Sequence, residues 1–362
     1  PSQDGDDCPV LPAEKRRRCA NMATADDYEI TGKVLGTGIG GAVVEGVHRE
    51  TGRRVAVKSF AMCATDLHRE IAVQTSLSHG NIARLEAVCS SPGNIHVCIE
   101  GMSGNDVFDH LMEETLLTEA EAANVLTQLL DALEYMHSQN IVHRDIKPEN
   151  LMYVAADKKH VKLIDFGFAK AWDGETPMRR TCGTDGDRAP EMMKGSYTMK
   201  ADLWSVGVLA HMLLTEDLIG RNSSNWTPHF SERFEDLSSE AQAFIKSLLQ
   251  RNPAKRPSAA QMRKYPWLLQ HQARANVDCP PRSLMENSLE MLDVGMAADT
   301  NSSFASTCST IKPQKFSTTS WWKKQAQLLK VPIKMPGMFK AAFGTKRSKV
   351  FVTTQVVPDG SG

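Results

Sequence analysis

The sequence predicts an α+β protein made of two lobes, a small β-rich lobe with antiparallel strands and one helix, followed by a larger and mainly helical lobe. Short β-rich runs, most of them separated by glycine-containing turns, follow one another from residue 28 to residue 100, which is typical of antiparallel strands. After about residue 105, apolar residues recur at helical spacing instead. The length of 362 residues, 41% of them hydrophobic, allows two such lobes plus tails.

The small lobe is predicted to contain four strands and one helix. The predicted strands are Tyr28–Val34, Ala42–His48, Arg53–Ser59 and Ile95–Glu100. A helical stretch over Thr65–Leu77 interrupts the series between the third and the fourth of these strands.

The larger lobe begins with a strongly marked helix. Thr118 and Glu121 have the spacing of a capping box, in which the side chain of each residue bonds the backbone N–H of the other. The apolar stripe behind them predicts one buried face, formed by Leu126, Leu129, Leu130, Leu133, Met136 and His137. Two more apolar helices are predicted over Asp202–Leu214 and Ser239–Leu249.

Three segments outside the lobes have compositions that do not favour a packed core. Residues 1–27 are polar and lack apolar periodicity, which predicts a disordered N-terminal extension. Residues 269–310 are rich in Ser, Thr and Asn and predict a polar linker. Residues 311–362 form a basic, Ser/Thr-rich C-terminal tail, with ten Lys and Arg and no acid between residues 311 and 350.

Charge and cysteine content exclude several classes of protein. The 42 Lys and Arg nearly balance the 43 Asp and Glu, so nucleic acid is not expected as a partner. No run of 18 apolar residues is present, and no apolar stretch follows the basic run Glu14–Arg18, so neither a transmembrane helix nor a signal peptide is predicted. The eight cysteines form no Cys-x-x-Cys pair, which argues against zinc and favours a reducing compartment, the cytoplasm or the nucleus.

A glycine-rich turn joins the first two predicted strands. It reads Gly36-Thr37-Gly38-Ile39-Gly40-Gly41-Ala42-Val43. Glycines allow the backbone to approach a phosphate closely and to point amides at it. Because a strand follows this turn, where a dinucleotide-binding fold has a helix, the glycines suit a flap over a nucleotide. An ordinary hairpin turn remains the alternative.

A charged pair is predicted inside the small lobe. Lys58 stands in the apolar strand sequence Val55-Ala56-Val57-Lys58, so its ammonium group needs a partner. Glu70, twelve residues later in the helical stretch, is the candidate. From the residues alone, a purely structural ion pair and a functional one are equally good interpretations.

The most informative run is His143-Arg144-Asp145-Ile146-Lys147-Pro148-Glu149-Asn150, which directly follows the long amphipathic helix and is therefore on a loop. Fifteen residues past its end, Leu163-Ile164-Asp165-Phe166-Gly167 places an acid at the end of an apolar strand. The later motifs are Ala189-Pro190-Glu191, Asp202-Leu203-Trp204-Ser205-Val206-Gly207 and Arg256.

With these motifs in this order, the chain resembles the eukaryotic protein kinases over about Tyr28 to Leu268. Lys147 after Asp145 matches the serine/threonine branch. Phe108-Asp109, Lys147–Asn150 and Tyr265–Leu268 are similar to the calcium/calmodulin-dependent and calcium-dependent kinase group. The resemblance implies the bilobal kinase fold over residues 28–268, with an N-lobe and hinge over 28–102 and a C-lobe over 103–268. No EF-hand is expected, since Phe304 stands where such a loop needs Gly.

The resemblance also implies roles for individual residues, with ATP and Mg²⁺ or Mn²⁺ as cofactors. The implied catalytic residues are Asp145, Lys147, Lys58, Glu70 and Thr184. The implied nucleotide-binding residues are Leu35, Gly36, Thr37, Gly38, Ile39, Gly40, Gly41, Ala42, Val43, Lys58, Glu100, Met102, Asp106, Asn150 and Asp165. Asn150 and Asp165 are the implied metal ligands. Glu191 with Arg256, and Asp202 alone, are expected to be scaffold.

The sequence departs from the family at four places. Gln74 replaces an apolar residue that stacks between the lobes in active kinases. Gly183–Arg188 has two acids and an arginine in place of the Pro, aromatic and apolar residues that usually form the pocket for the residue after the phosphoacceptor. Arg180 occupies the position of an activating phosphothreonine, with Thr181 beside it. The stretch between residues 213 and 238 is shorter than usual, which predicts a missing surface helix.

Two functions remain open at this point. The first is a serine/threonine protein kinase, favoured because all the charge-handling groups are present. The second is a pseudokinase that binds nucleotide and acts as a scaffold or allosteric partner, which Gln74 and the altered Gly183–Arg188 segment favour. For the kinase, protein substrates with Arg upstream of the Ser or Thr are expected, because Asp106 and Glu149 match positions that bind this Arg in related kinases. Contact of Asp106 with ribose alone is the alternative.

The tail contains one segment with a pattern of its own. Trp321–Lys330 combines bulky apolar residues with cations, which is typical of a calmodulin-like target or a helix at a membrane surface. Pro332 and Pro336 would end such a helix after about ten residues. A plain solvated tail is therefore the favoured alternative.

Overall fold

A computed structural model describes residues 25–38, 41–61, 67–113, 117–184, 186, 188–217, 219–221 and 227–278. Within this range the predicted α+β architecture of two lobes is confirmed. The predicted linker beyond residue 278, the tail, and most of the predicted N-terminal extension lie outside the described residues. No helix of the described residues is long and apolar enough to cross a membrane.

The N-lobe is a five-stranded antiparallel sheet with one helix. Its strands are β1 (Tyr28–Gly38), β2 (Gly41–His48), β3 (Arg54–Ala61), β4 (Leu85–Ser91) and β5 (Asn94–Glu100), in the spatial order β1-β2-β3-β5-β4. Helix α1 spans Leu67–Ser76 between β3 and β4. The register places Lys58 of β3 opposite Val43 of β2 and Val97 of β5, so this lysine stands in the middle of the sheet.

Strand β4 is absent from the predicted strands. Its sequence contains one β-branched residue, Val88, and no aromatic residue, so its intrinsic preference for a strand is weak. The pairing with β5 makes it a strand, and it buries Ala87 and Cys89 in the small core of this lobe.

The C-lobe begins with a short helix and a long one. Helix α2 spans Val107–Glu113 and helix α3 spans Glu119–Ser138. The predicted capping box is confirmed, since the Glu121 amide donates to Thr118 Oγ1 at 3.3 Å and the Thr118 amide donates to Glu121 Oε2 at 2.9 Å. The apolar residues of the predicted stripe on α3 are all buried in the main core.

The remaining elements follow in chain order. The strands are β6 (Ile141–Val142), β7 (Leu151–Tyr153), β8 (Val161–Leu163), β9 (Lys170–Ala171), β10 (Gly220–Arg221) and β11 (Pro228–His229). The helices are α4 (Pro190–Met193), α5 (Lys200–Thr215), α6 (Glu232–Glu235), α7 (Ser239–Leu248), α8 (Ala259–Met262) and α9 (Pro266–Asp278). Short 3₁₀ turns lie at Ala25–Asp27, Pro148–Asn150 and Pro253–Lys255. Helix α5 is buried almost throughout, which makes it the centre of the lobe. In the shortened stretch, the described residues between α5 and α7 contain the four-residue helix α6 and the β10–β11 pair.

The structure extends order into two ranges that we predicted to be irregular. Residues 25–27 form a 3₁₀ turn, whose Asp27 carbonyl accepts the amide of Arg49 at 2.9 Å. Residues 269–278 continue helix α9, where a polar linker was predicted. This helix packs on α3 through polar contacts, such as Gln272 Nε2 to Thr127 Oγ1 at 3.2 Å, so apolar periodicity gives no signal for its second half.

Candidate active site

One buried carboxylate binds the backbone of the loop after α3. Asp202, on helix α5, accepts the backbone N–H of Arg144 at 2.8 Å and that of His143 at 3.0 Å. It also bonds His137 Nε2 at 2.8 Å. Burial acts to raise the pKa of Asp202, but the bonds and charges from the two histidines outweigh it and the pKa is lowered. The expected scaffold role of Asp202 is confirmed by this geometry.

Three of the predicted site residues, Thr184, Lys147 and Asn150, converge on the carboxylate of Asp145. Its Oδ1 accepts Thr184 Oγ1 at 3.0 Å and the Thr184 amide at 3.1 Å. Its Oδ2 lies 3.0 Å from Lys147 Nζ and 3.1 Å from Asn150 Nδ2. Lys147 Nζ also donates to Thr184 Oγ1 at 3.1 Å. Burial acts to lower the pKa of Lys147, but the neighbouring Asp145 carboxylate outweighs it and the pKa is raised, so this amine remains protonated.

Gly183 allows Thr184 to come this close. Its φ of +83° lies in the region that favours glycine. An added Cβ would lie 2.5 Å from the Arg144 carbonyl oxygen and 3.4 Å from Asp145 Oδ1. Any other residue here would push the segment that carries Thr184 away from Asp145.

A second cluster joins the two lobes. Lys58 Nζ lies 3.5 Å from Glu70 Oε1 and 3.6 Å from Asp165 Oδ1. The side chains of Lys58 and Glu70 are 13% and 7% exposed, while that of Asp165 is 46% exposed. Burial raises the pKa of Glu70, and the charge of Lys58 opposes this rise. Burial acts in the same way on Asp165, but Lys58 and the Gly167 amide outweigh it and its pKa is lowered. The ion pair predicted for Lys58 and Glu70 is therefore present, and it includes Asp165.

The two clusters influence each other. Lys147 helps to lower the pKa of Asp165, and Asp165 helps to raise that of Lys147. Asp165 has a φ of +59°, a left-handed conformation that Asp tolerates better than most residues. Among the described residues, no group of three or more His, Cys, Asp or Glu side chains is arranged for a metal ion.

The glycine-rich turn joins β1 and β2, and Val43 at its end pairs with Lys58 of β3. Gly36, Thr37 and Gly38 pair with Val43, Ala42 and Gly41. Gly41 has a φ of +105°, which requires glycine. Apart from the glycine itself and its two chain neighbours, no atom of the described residues lies within 4 Å of a Cβ built at Gly36 or Gly41. Leu35 is exposed, and Ile39 and Gly40 lie outside the described residues.

The connection between the lobes follows β5. Glu100 Oε1 accepts the Arg84 amide at 2.7 Å and Lys162 Nζ at 2.6 Å. A Cβ on Gly101 would lie 2.6 Å from the Arg54 carbonyl oxygen, so only glycine fits at this position. Met102 follows directly, and no backbone group of the described residues accepts its amide.

Asp106 lies where the connection enters helix α2. Its Oδ1 accepts the amide of Asp109 at 2.7 Å, and its backbone forms a bridge with Met152 beside the catalytic loop. Burial raises the pKa of Asp106 to about 6, and the charges of Asp109 and Glu149 contribute to the rise.

The ion pair expected for the scaffold is confirmed. Arg256 Nη1 lies 2.6 Å from Glu191 Oε1, and both residues are buried.

The Gln74 side chain, 2% exposed, donates from Nε2 to the Ala83 carbonyl at 3.3 Å. This hydrogen bond offsets part of the cost of burying an amide at this position.

Three arginines near the site have contacts that the motifs do not indicate. Arg69 donates from Nη2 to the Gly167 carbonyl, and Arg144 donates from Nε to the Phe168 carbonyl. Arg188 donates from Nε to the carbonyls of Cys182 and Gly183. Arg69 and Gly167 are 98 positions apart, and a backbone carbonyl leaves no trace in the sequence, so no local pattern could have revealed the first contact.

The comparisons with known proteins all match protein kinases. The family model described as "Protein kinase domain" matches residues 29–268. A probable myosin light chain kinase from Dictyostelium discoideum is 32% identical over 265 residues, covering 68% of this chain and 68% of that protein. Myosin light chain kinase family member 4 from Mus musculus is 31% identical and covers 74% of each chain. Calcium/calmodulin-dependent protein kinase type IV from Homo sapiens is 30% identical, covering 73% of this chain and 59% of that protein.

Nothing in these matches favours a pseudokinase. The family match, the kinase relatives and the bilobal fold that carries the site lead to one conclusion: the chain belongs to the protein kinase family and is a serine/threonine kinase.

Proposed function

We propose that Asp145 is the base of phosphate transfer from ATP to serine and threonine hydroxyls of protein substrates. The observation that carries this proposal is the set of contacts around its carboxylate. Thr184 holds Oδ1 and Lys147 lies against Oδ2, so the group is oriented before a substrate arrives. Asp145 accepts the hydroxyl proton as the oxygen attacks, and the protonated Lys147 balances charge on the transferred phosphoryl group.

The nucleotide is proposed to lie between the lobes. Lys58 binds the α- and β-phosphates, and Glu70 keeps its ammonium group in place through the 3.5 Å contact. The open space above Gly36 and Gly41 supports a close approach of phosphate to the amides of the turn. The remaining proposed contacts are those of Leu35, Thr37, Gly38, Ile39, Gly40, Ala42 and Val43 with the phosphates and the base. Adenine is proposed to meet the Glu100 carbonyl and the Met102 backbone.

Protein kinases use a divalent metal ion with ATP, and we propose Asp165 and Asn150 as the residues that hold it. The donor chemistry fits Mg²⁺ or Mn²⁺, because both residues offer hard oxygen atoms, and Mg²⁺ is commonly bound by one or two protein ligands plus phosphate. Asn150 donates from Nδ2 to the Asp145 carbonyl at 2.7 Å, which leaves its Oδ1 for the metal. The bound ion would neutralise part of the negative charge of the phosphates.

For the substrate, we propose recognition of an arginine a few residues before the acceptor, by Asp106 and Glu149. The backbone of Asp106 pairs with Met152, three residues after Glu149, so the two carboxylates belong to neighbouring segments that can offer a cation two acceptors. Because the pKa of Asp106 is about 6, its charge is present above that pH and lost as the pH falls through it. Contact with ribose is the competing role for Asp106.

Radiolabelled phosphate transfer onto a degenerate peptide library tests activity and specificity together. The wild type should select upstream Arg well above pH 6, and the selection should weaken as the pH falls below about 6. The double variant Asp106→Asn, Glu149→Gln should prefer upstream Arg about tenfold less strongly than the wild type, because a charge-assisted hydrogen bond contributes about 1.5–3 kcal/mol. A flat upstream profile in the wild type would contradict the arginine site. A raised KM for ATP in Asp106→Asn alone would favour the ribose contact.

The position after the acceptor is proposed to lack the usual apolar preference. Arg188 lies where relatives form an apolar pocket, and its guanidinium is held by the carbonyls of Cys182 and Gly183. A charged group fixed at this position disfavours an apolar side chain, because its desolvation would be uncompensated. Asp185 and Asp187 of the same segment lie outside the described residues.

A regulatory role of the tail has to be tested by itself, because Trp321–Lys330 lies outside the described residues. Similarity to a calcium/calmodulin-dependent kinase motivates one test of regulation through this segment. If the segment is inhibitory, residues 1–310 should be more active than the full chain without calcium–calmodulin, and calcium–calmodulin should activate only the full chain. Equal kinase activity in all four conditions would instead support a solvated tail. Replacing Trp321 and Trp322 by Ala in the full chain is the matched control, since it keeps the tail length and charge.

A further inference from the structure

Two consecutive carbonyls just after Asp165 are each bound by an arginine from a different lobe. Arg69 Nη2, on helix α1 of the N-lobe, lies 3.1 Å from the Gly167 oxygen. Arg144 Nε, on the catalytic loop of the C-lobe, lies 2.7 Å from the Phe168 oxygen. The backbone that follows the proposed metal ligand is thus held from both sides by charged donors, which form stronger hydrogen bonds than neutral ones.

The C-lobe contact belongs to a rigid set of bonds. The Arg144 amide is held by Asp202, and its Nη1 lies 3.2 Å from the hydroxyl oxygen of Tyr197. That hydroxyl donates to the Arg180 carbonyl at 2.6 Å. Arg144 is buried, so this side of the loop is fixed by the C-lobe whatever the N-lobe does.

On the N-lobe side, Arg69 on helix α1 binds the loop at the Gly167 carbonyl. The loop approaches helix α1 closely at Gly167, where an added Cβ would lie 3.5 Å from Glu70 Oε2. The Gly167 amide also donates to Asp165 Oδ1 at 3.0 Å. Gly167 therefore bonds Arg69 through its carbonyl and the Asp165 carboxylate through its amide, so it links Arg69 to one oxygen of that carboxylate.

We propose that Arg69 is a positioning residue for the metal-binding carboxylate of Asp165. It acts through Gly167, which it holds against helix α1, and it touches neither nucleotide nor metal. The proposal rests on the metal role proposed for Asp165. Arginine suits this task because its planar fork loses less conformational entropy per hydrogen bond than the flexible ammonium of lysine. Arg69→Lys should therefore retain part of the function, and Arg69→Gln should retain less.

The test compares the binding of a fluorescent ADP analogue by the full chain in excess Mg²⁺ and in EDTA. For the wild type, Mg²⁺ should strengthen binding. For Arg69→Gln, we expect this Mg²⁺-dependent gain to fall about fivefold, which corresponds to one hydrogen bond of ordinary strength, while the affinity in EDTA stays unchanged. Arg69→Lys should lie between the two. Arg49→Gln is the matched control, because Arg49 also donates to a backbone carbonyl, that of Asp26 at 2.9 Å, away from the site.

A second readout needs neither nucleotide nor metal. Hydrogen–deuterium exchange over residues 165–169 of the nucleotide-free chain should be faster in Arg69→Gln than in the wild type or in Arg49→Gln. An Mg²⁺-dependent gain equal to that of the wild type in folded Arg69→Gln would overturn the proposal. So would an equal loss of affinity in Mg²⁺ and in EDTA, which indicates a general structural role. If the wild type itself shows no Mg²⁺-dependent gain, the metal role proposed for Asp165 is wrong. This outcome differs from a failure of the Arg69 proposal alone, because it is observed without any variant.

Discussion

Asp145→Asn is expected to lower phosphate transfer by about 10²–10⁴-fold, the range that a positioned general base contributes. The substitution keeps the size of the side chain, and its amide can still bond Thr184. It removes the proton acceptor and the negative charge that lies 3.0 Å from Lys147 Nζ. Transfer is measured under saturating ATP and peptide, so that a change in kcat is separated from a change in KM.

Nucleotide affinity should remain within a few-fold of the wild type in the same variant. The groups proposed to hold ATP are Lys58, Glu70 and the glycine-rich turn, and none of their described residues bonds Asp145. Asp157→Asn is the matched control, because Asp157 is an exposed carboxylate in the turn between β7 and β8. Undiminished transfer by Asp145→Asn would contradict the assignment of the base.

Asp165→Ala is expected to lose the Mg²⁺-dependent part of nucleotide affinity and to lower transfer by about 10²-fold or more, because metal-ion stabilisation of the transferred charge contributes several kcal/mol. The affinity for nucleotide in EDTA should change much less. The measurement is a titration of Mg²⁺ against bound fluorescent nucleotide, followed by transfer assays at the highest metal concentration.

Asp165→Asn separates the two contributions of this side chain. The amide oxygen of Asn can still accept the Gly167 amide, so the loop geometry is kept while the charge beside Lys58 is removed. If charge is what holds the metal, Asn and Ala should be similarly impaired. If the Ala variant binds metal-loaded nucleotide as tightly as the wild type, Asp165 is not a metal ligand.

The order of elements and the catalytic-loop cluster could be predicted from the sequence for a simple reason. Asp145, Lys147 and Asn150 are separated by five positions or fewer, so a single loop brings them together whatever surrounds it. The capping box of α3 is equally local, because Thr118 and Glu121 are one helical turn apart. The Lys58–Glu70 pair could be predicted because a charge in an apolar strand requires a partner, and Glu70 lies twelve residues later in the predicted helical stretch.

Other features depend on contacts between distant parts of the chain, and the sequence contains no local sign of them. Strand β4 exists because β5 pairs with it, since its own residues have little preference for a strand. Helix α9 continues past residue 268 because α3 offers polar partners such as Thr127. Arg69 binds a backbone carbonyl 98 positions away. Because every residue type has such a carbonyl, the sequence does not identify the acceptor. Local spacing determines which side chains share a loop, whereas packing of the two lobes determines which backbone groups they meet.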